Sequence, residues 1–438
     1  MITKTTDSTK FISGLEDFIK QQTQTSPAWL DKIRKESLMR FFDFGIPTVR
    51  DEEWKYTNLS SLLQHHYLIA GQEGFKPTPE FNRYCDPEGI NIVFINGIFS
   101  KELSNLKNDI KGLKIQTFQE ALAENPKNLQ TLFEKYSSGQ ETTFISLNKA
   151  LTKDGILIEV DKNAIIEKMI HVLHLANVSQ GPGVFAPRTL VSLGKSSEAT
   201  LLESHMDFSD HAVYFTDALT DIFIDENATL HYCKAQTESL KSFHIGQTRV
   251  WQERSSNFEG FSLMTGGAIT RNNLDISLNG EGASALLNGL YCANGTQLVD
   301  NHTAVDHRTP NCTSNQYYKG ILNGSSRGVF NGKIFVRPIA QKTNSYQLNK
   351  NLLLGQDALA NTKPQLEIFA DDVKCTHGAT IGQLNEDELF YLQTRCISKR
   401  EAIRMLSKAF IDDIIETIKN PSIRAKMNVL LEPIFAQL

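Results

Sequence analysis

Cys375 and His377 flank Thr376 within EIFADDVKCTHGATIGQ, residues 367–383. In an extended chain both project to one face while Thr376 turns to the other. A thiol beside an imidazole points to metal or sulfur chemistry. Both groups bind soft or borderline ions, and a cysteine carries sulfur only as a thiolate, which a nearby basic or metal centre favours. Two ligands do not complete a site that ordinarily takes four, and no other Cys or His lies within ten residues of the pair. Either the pair simply ends a core strand, or the missing ligands come from elsewhere.

The elements that must position this pair change character along the chain. Between Gly183 and Gly382 no window sustains a helical apolar stripe, and 17 of the 27 glycines fall there, so short alternating strands separated by turns are expected. Weak self-similarity links GKSSEATLLE at Gly194, DENATLHYCK at Asp225 and GEGASALLNG at Gly280, with Ala199 and Ala228 as equivalents. Short strands of this kind bury their apolar faces by stacking coil on coil, which favours a β-solenoid over a sandwich.

Before this core, Phe11, Ile12, Leu15, Phe18 and Ile19 predict an amphipathic helix. A second helix is expected with Ser26 as N-cap and Pro27 at its first position, stopped by Gly45 and Pro47. Residues 71–89 read as a loop, and Asn96-Gly97 as a hairpin turn. Helical patterns follow at Phe118 to Glu124, Leu129 to Tyr136 and Phe144 to Leu151, then the strand ILIEV after Gly155. Beyond Gly382 a helix capped by Asn385 should end near Cys396. The capping box Ser398 to Glu401 opens a longer one, striped by Ile403, Leu406, Phe410, Ile414 and Ile418, and Ile423 to Leu438 closes the chain. The regions divide as 1–155 (mixed), 156–382 (β core) and 383–438 (helical).

Composition narrows the function classes. With 45 Lys and Arg against 50 Asp and Glu the net charge is −5, which suggests neither nucleic acid nor an anionic membrane as a partner. MITKTTDSTKF lacks the apolar core of a secretory signal, so a cytosolic chain is expected. The six scattered cysteines are expected to be free thiols. Gly194-Lys195-Ser196 is not a phosphate loop, because Thr189 stands where its first glycine belongs, and Asn288-Gly289 forbids the helix that must follow a dinucleotide fingerprint at Gly280. His302, His307 and Cys312 are spaced five apart, which fits one face of neither a helix nor a strand.

ADDVKCTHGATIGQLNEDELFYLQTRCI closely resembles the C-terminal signature of the SufD branch of the SufB/SufD family of iron–sulfur cluster assembly proteins. Trp54-Lys55-Tyr56-Thr57, the DNHTAVDHRTPNCTSNQYYKGIL run and GVFNGKIFV agree with it. The paralogous SufB scaffold resembles the chain in overall plan but lacks the Cys-Thr-His tripeptide. The resemblance implies a mainly β fold, a right-handed parallel β-helix flanked by N-terminal α/β and C-terminal helical regions. It also implies a non-enzymatic scaffold that binds no cofactor when isolated. Implied partners are SufB, with a transient iron–sulfur cluster at the shared interface, and the SufC ATPase. His377 would then serve as metal ligand, assisted by Cys375, while Glu386, Leu389, Phe390, Leu392, Ile403, Leu406, Phe410 and Ile414 would form the SufC-docking surface. When SufB is absent, an exposed solenoid edge offers a surface for self-pairing into a homodimer, and the sequence does not choose between homodimer and heterodimer. Family members carry Gly where Cys396 stands, which puts the left-handed helix end in doubt. The rival reading is a β-helix polysaccharide lyase or hydrolase using Asp371, Asp372 and His377, a class that is typically secreted.

Overall fold

The computed structural model describes residues 11–23, 26–71, 74–106, 110–135, 141–179, 181–207 and 212–437. Gly14 adopts φ +77, a left-handed turn that interrupts the helix expected from Phe11. Ile12–Ser13 becomes strand β1, and helix α1 covers Leu15–Thr23. Pro27, not Ser26, occupies the N-cap of α2 (Ala28–Phe44); Ser26 Oγ instead accepts a hydrogen bond from Arg34 Nη1 at 2.6 Å. β2 (Tyr67–Ile69) pairs with β1. The stretch expected as a loop contains a short helix, α3 (Pro79–Tyr84), capped by Thr78. β3 (Ile90–Ile95) and β4 (Ile98–Phe99) form the expected hairpin, with Asn96 and Gly97 both at positive φ as a type I′ turn requires. Next come β5 (Leu113–Thr117), α4 (Phe118–Glu124), α5 (Pro126–Lys135), α6 (Thr143–Leu151) and β6 (Ile156–Val160). Tyr136, the expected end of one helix, lies outside the described residues.

The strands that build the core are β7 (Ile170–Ala176), β8 (Gly183–Phe185), β9 (Arg188–Leu193), β10 (Glu198–Asp207), β11 (Tyr214–Ile224), β12 (Thr229–Thr237), β13 (Phe243–Gln252), β14 (Asn257–Met264), β15 (Ile269–Leu278), β16 (Ser284–Ala293), β17 (Leu298–His307), β18 (Thr313–Leu322), β19 (Arg327–Val336), β20 (Asn344–Leu353), β21 (Leu359–Ile368) and β22 (Lys374–Gly382). From β10 onward even-numbered strands stack in one sheet and odd-numbered strands in another, each parallel to the strand two places on. The result is a β-helix of about seven turns. β1 and β2 extend the odd sheet and β3 the even one, so the solenoid also draws on residues before 156.

A recurrent corner sets the coil. Six successive passages from odd to even sheet, from β9–β10 to β19–β20, bend at a left-handed residue, in turn Ser196, Asn227, Ser255, Gly282, Asn311 and Lys342, whereas the β21–β22 passage has none. A small buried side chain follows every time: Ser197, Ala228, Ser256, Ala283, Cys312 and Thr343. The three self-similar segments of the sequence are three of these corners. Register nevertheless places Ala199 opposite Leu230, so Ala228 is the counterpart of Ser197. That error of two residues preserves the face, which is why the pattern was visible.

Both outer faces of the coil are covered. On the odd sheet Glu52 pairs with Lys363, Glu53 with Lys333 and His302, and Thr57 Oγ1 donates to Asp300 Oδ2 at 2.5 Å. Trp54 stacks under Arg271, 3.9 Å from its ring centroid. This segment therefore clamps four successive rungs, β15 to β21, which is the packing role for Trp54 rather than a partner contact. Over the even sheet, α8 (Lys399–Ile415) and α9 (Pro421–Gln437) bury Ile411, Ile414, Met427 and Leu431 against Leu202, Leu263 and Ile321.

Between the strands and α8 lies α7 (Glu386–Thr394), which ends as the spacing predicts. Cys396 stands at φ +64, with Ile397 N–H returning to Leu392 O at 3.3 Å. A left-handed L-residue costs about 1 kcal/mol that glycine avoids. Cys396→Gly is therefore expected to slow amide exchange in α7 and early α8 roughly two- to fivefold. Faster or unchanged exchange would contradict a strained cap.

Candidate functional site at the open end of the solenoid

β22 is the last strand of its sheet, paired on one side only, with β20. Register sets Cys375 beside Ser345 and His377 beside Gln347, both of which are buried inward-facing residues of β20. The expected shared face is therefore the inner face of the coil. Two columns run back from it. Cys375 continues Ser345, Ser314 and Ala285, and His377 continues Gln347, Gln316 and Leu287.

These columns are hydrogen-bonded along the axis. Ser314 and Ser345 hydroxyls lie 2.7 Å apart, and His307 Nε2 lies 2.9 Å from Ser314 Oγ. Gln347 Nε2 donates to Gln316 Oε1 at 3.2 Å, which also accepts from Thr303 at 2.6 Å. Gln347 Oε1 and Gln365 Oε1 are buried without partners among the described residues. The polar ladder is thus unfinished where the rungs stop.

No described strand covers β22, so His377 is exposed although it occupies an interior column. Cys375 is half-buried against Ile334, Val336, Ala340 and Ala370. Burial pushes its thiol upward, so in this chain alone it is held as a thiol rather than the thiolate that sulfur or metal binding needs. A cation arriving at the open end would reverse that balance. Neighbouring Asp372 pairs with Lys342 at the corner, which leaves the Asp–His arrangement of a hydrolase without that carboxylate.

The structure separates the other sequence candidates. His302 lies 3.0 Å from Asp300 and 3.4 Å from Glu53 beneath the N-terminal clamp, His307 faces Ser314, and Cys312 fills a corner with Sγ 3.4 Å from Gly280 O. Among the proposed docking residues, Ile414 is fully buried by the chain's own even sheet, and Phe410 is half-buried there with Lys319 4.6 Å from its ring centroid. Ile414 thus offers no surface to another chain, because the stripe was read without knowing that the solenoid would cover it. Leu389, Leu392, Ile403 and Leu406 are half-buried, whereas Glu386 and Phe390 are exposed; Phe390 is 67% accessible and Tyr391, absent from the sequence candidates, 56%.

One group escaped sequence reading altogether. His174, Glu203 and His205 converge inside the first rungs, with His244, Glu238 and Lys234 beside them. The available signal was weak: an H-x-x-H on one strand and an E-x-H on the next, both ordinary on buried strands. No helix among the described residues is long and apolar enough to cross a membrane.

A coiled body with helices on one outer face, an N-terminal clamp on the other and one polar end uncovered among the described residues defines a parallel β-solenoid protein. Two family models match: the SUF system FeS cluster assembly SufBD core domain over residues 174–410, and the SufBD protein N-terminal region over 5–172. An iron–sulfur cluster assembly SufBD family protein of Synechocystis is 33% identical over 391 residues, covering 87% of this chain and 86% of its own length. Iron–sulfur cluster assembly protein SufD of Escherichia coli is 29% identical over 396 residues, 90% of each chain. A chloroplastic protein of Arabidopsis thaliana is 28% identical over 426 residues, 95% of this chain and 89% of its own. The chain belongs to the SufBD family of iron–sulfur cluster assembly proteins.

Proposed function

We propose that this chain is a SufD-type scaffold subunit, completed at β22 by a SufB partner, and that a nascent iron–sulfur cluster forms where they meet. The observation that carries this reading is the position of His377: an interior column residue left open because the coil ends there. His377 offers a neutral ring nitrogen to iron, and Cys375 gives up its proton as the cation approaches. The cluster is cargo, assembled and passed on, and the chain contributes ligands and shape. The SufC ATPase docks on the exposed side of α7 and early α8, where Phe390, Tyr391 and Met405 are open.

The test is co-purification of the tagged chain with SufB and SufC, followed by iron and acid-labile sulfide analysis. His377→Ala is expected to retain both partners and to lower cluster content at least about tenfold. Normal cluster content in that variant would remove His377 as a ligand. A parent chain that captures neither SufB nor SufC would overturn the scaffold reading itself.

A further inference from the structure

The interior of the early rungs holds a polar group that the open-end site does not use. His174 on β7 and His205 on β10 are register neighbours, with rings stacked at 4.7 Å and 18°. Glu203 lies two residues before His205 and so shares its inward face. One ligand atom from each of the three falls within 4.8 Å of the others, and all three residues are at least 97% buried.

Their hydrogen bonding is lopsided. Glu203 is held by Thr189 at 3.0 Å, Thr220 at 2.8 Å and Tyr232 at 2.6 Å, the kind of outer support that orients a ligating carboxylate. By contrast, His174 Nε2 only approaches Glu203 Oε1, at 3.4 Å, while its Nδ1 and both ring nitrogens of His205 lack a hydrogen-bond partner among the described residues. His244 closes over His205 with ring centroids 4.8 Å apart; its Nδ1 is fixed by Glu238 at 2.6 Å while its Nε2 has no hydrogen-bond partner. Four orphaned imidazole nitrogens beside an oriented carboxylate are costly in a folded core unless something occupies the gap. The nearby fixed charges are two carboxylates, Glu203 and Glu238, against one ammonium, Lys234, so the interior is short of positive charge when the imidazoles are neutral.

We propose that His174, Glu203 and His205 bind a divalent transition-metal ion of the iron–zinc class inside the solenoid. Two imidazoles and one carboxylate suit borderline ions, whereas magnesium and calcium favour all-oxygen shells and copper(I) favours thiolates. Bonds of about 2.0–2.1 Å require the donor atoms, now within 4.8 Å of one another, to draw in to about 3.3 Å on binding. The site is independent of the open end. β10 and β22 are separated by six rung steps, roughly 29 Å at the usual strand spacing.

The experiment uses the full chain carrying Cys375→Ser and His377→Ala, which removes the open-end ligands. Two preparations are made, one exposed to Fe(II) anaerobically and one to Zn(II) during expression, and both are washed with chelator before metal analysis and X-ray absorption. The expected result is about one ion per chain with nitrogen and oxygen ligands and no sulfur. His205→Gln, or His174→Asn where the first fails to fold, is expected to reduce retained metal at least about tenfold with the circular dichroism unchanged. Retention of one metal and not the other identifies the ion. A folded parent that retains neither, or a folded ligand variant that retains as much as its parent, overturns the site whatever the fate of the open-end reading.

Discussion

Asp221→Ala is expected to lower unfolding stability by about 3–5 kcal/mol, read as a shift in the urea midpoint. Asp221 on β11 has a fully buried side chain and holds two guanidinium groups, Arg188 Nη2 at 2.5 Å and Arg249 Nε at 2.7 Å. Arg249 is its register neighbour on β13, so one carboxylate bridges consecutive rungs. Truncation strips two buried cations of the anion that bridges them, and the lost charge pairing, rather than the lost hydrogen bonds, dominates the cost. A second arm separates charge from volume. Asp221→Asn keeps the shape and removes the charge, and it is expected to lose most of the same stability. A loss below about 1 kcal/mol in both variants would show that the pair is not desolvated as the coil implies.

Acid is expected to begin destabilising this chain just below pH 6.5, well above the range of ordinary carboxylates. Burial lowers His307 to about 4 and His171 to about 3, both from an ordinary value near 6.5. The sign follows from which state binds the proton. Below pH 6.5 the unfolded chain takes up protons that the folded chain refuses, so stability is complete above that pH and falls as pH drops. Each such histidine removes about 1.4 kcal/mol per pH unit until its folded value is reached, or roughly 3 kcal/mol by pH 4. Two of them consume much of the 5–15 kcal/mol typical of a folded domain, given about 6 kcal/mol in total. Urea unfolding between pH 7 and pH 4 checks this. His307→Gln, which keeps a polar partner for Ser314, is expected to flatten the slope by about 1.4 kcal/mol per pH unit. An identical slope in that variant would show that His307 does not titrate on unfolding.

How much of this was legible depends on the range of the interaction involved. The N-cap at Ser398, the cap at Asn385 and the Asn96-Gly97 hairpin are local, and each was readable from a few neighbours; Ser398 Oγ accepts from Glu401 N–H, without the return bond of a full capping box. Where a local rule was misjudged, another short-range fact had overridden it. Gly14 broke the first helix, and Arg34 took the hydroxyl of Ser26, so Pro27 came to stand at the N-cap. The docking stripe misled for a different reason: an apolar helical face says that something will cover it but not whether that cover is another chain or the molecule's own sheet. For Ile414 it is the even sheet.

By itself the sequence determined that Cys375 and His377 share a face, because alternation along a strand is independent of everything beyond it. It also favoured the coil, through the weak self-similarity of the segments at Gly194, Asp225 and Gly280. Only the tertiary structure decided that this face is the inner one and that it is open, since that depends on whether another rung follows. The same holds for His174, Glu203 and His205. Residues some thirty positions apart meet only once the register between successive coils is set, and register is a property of the stacked sheet, not of either strand alone.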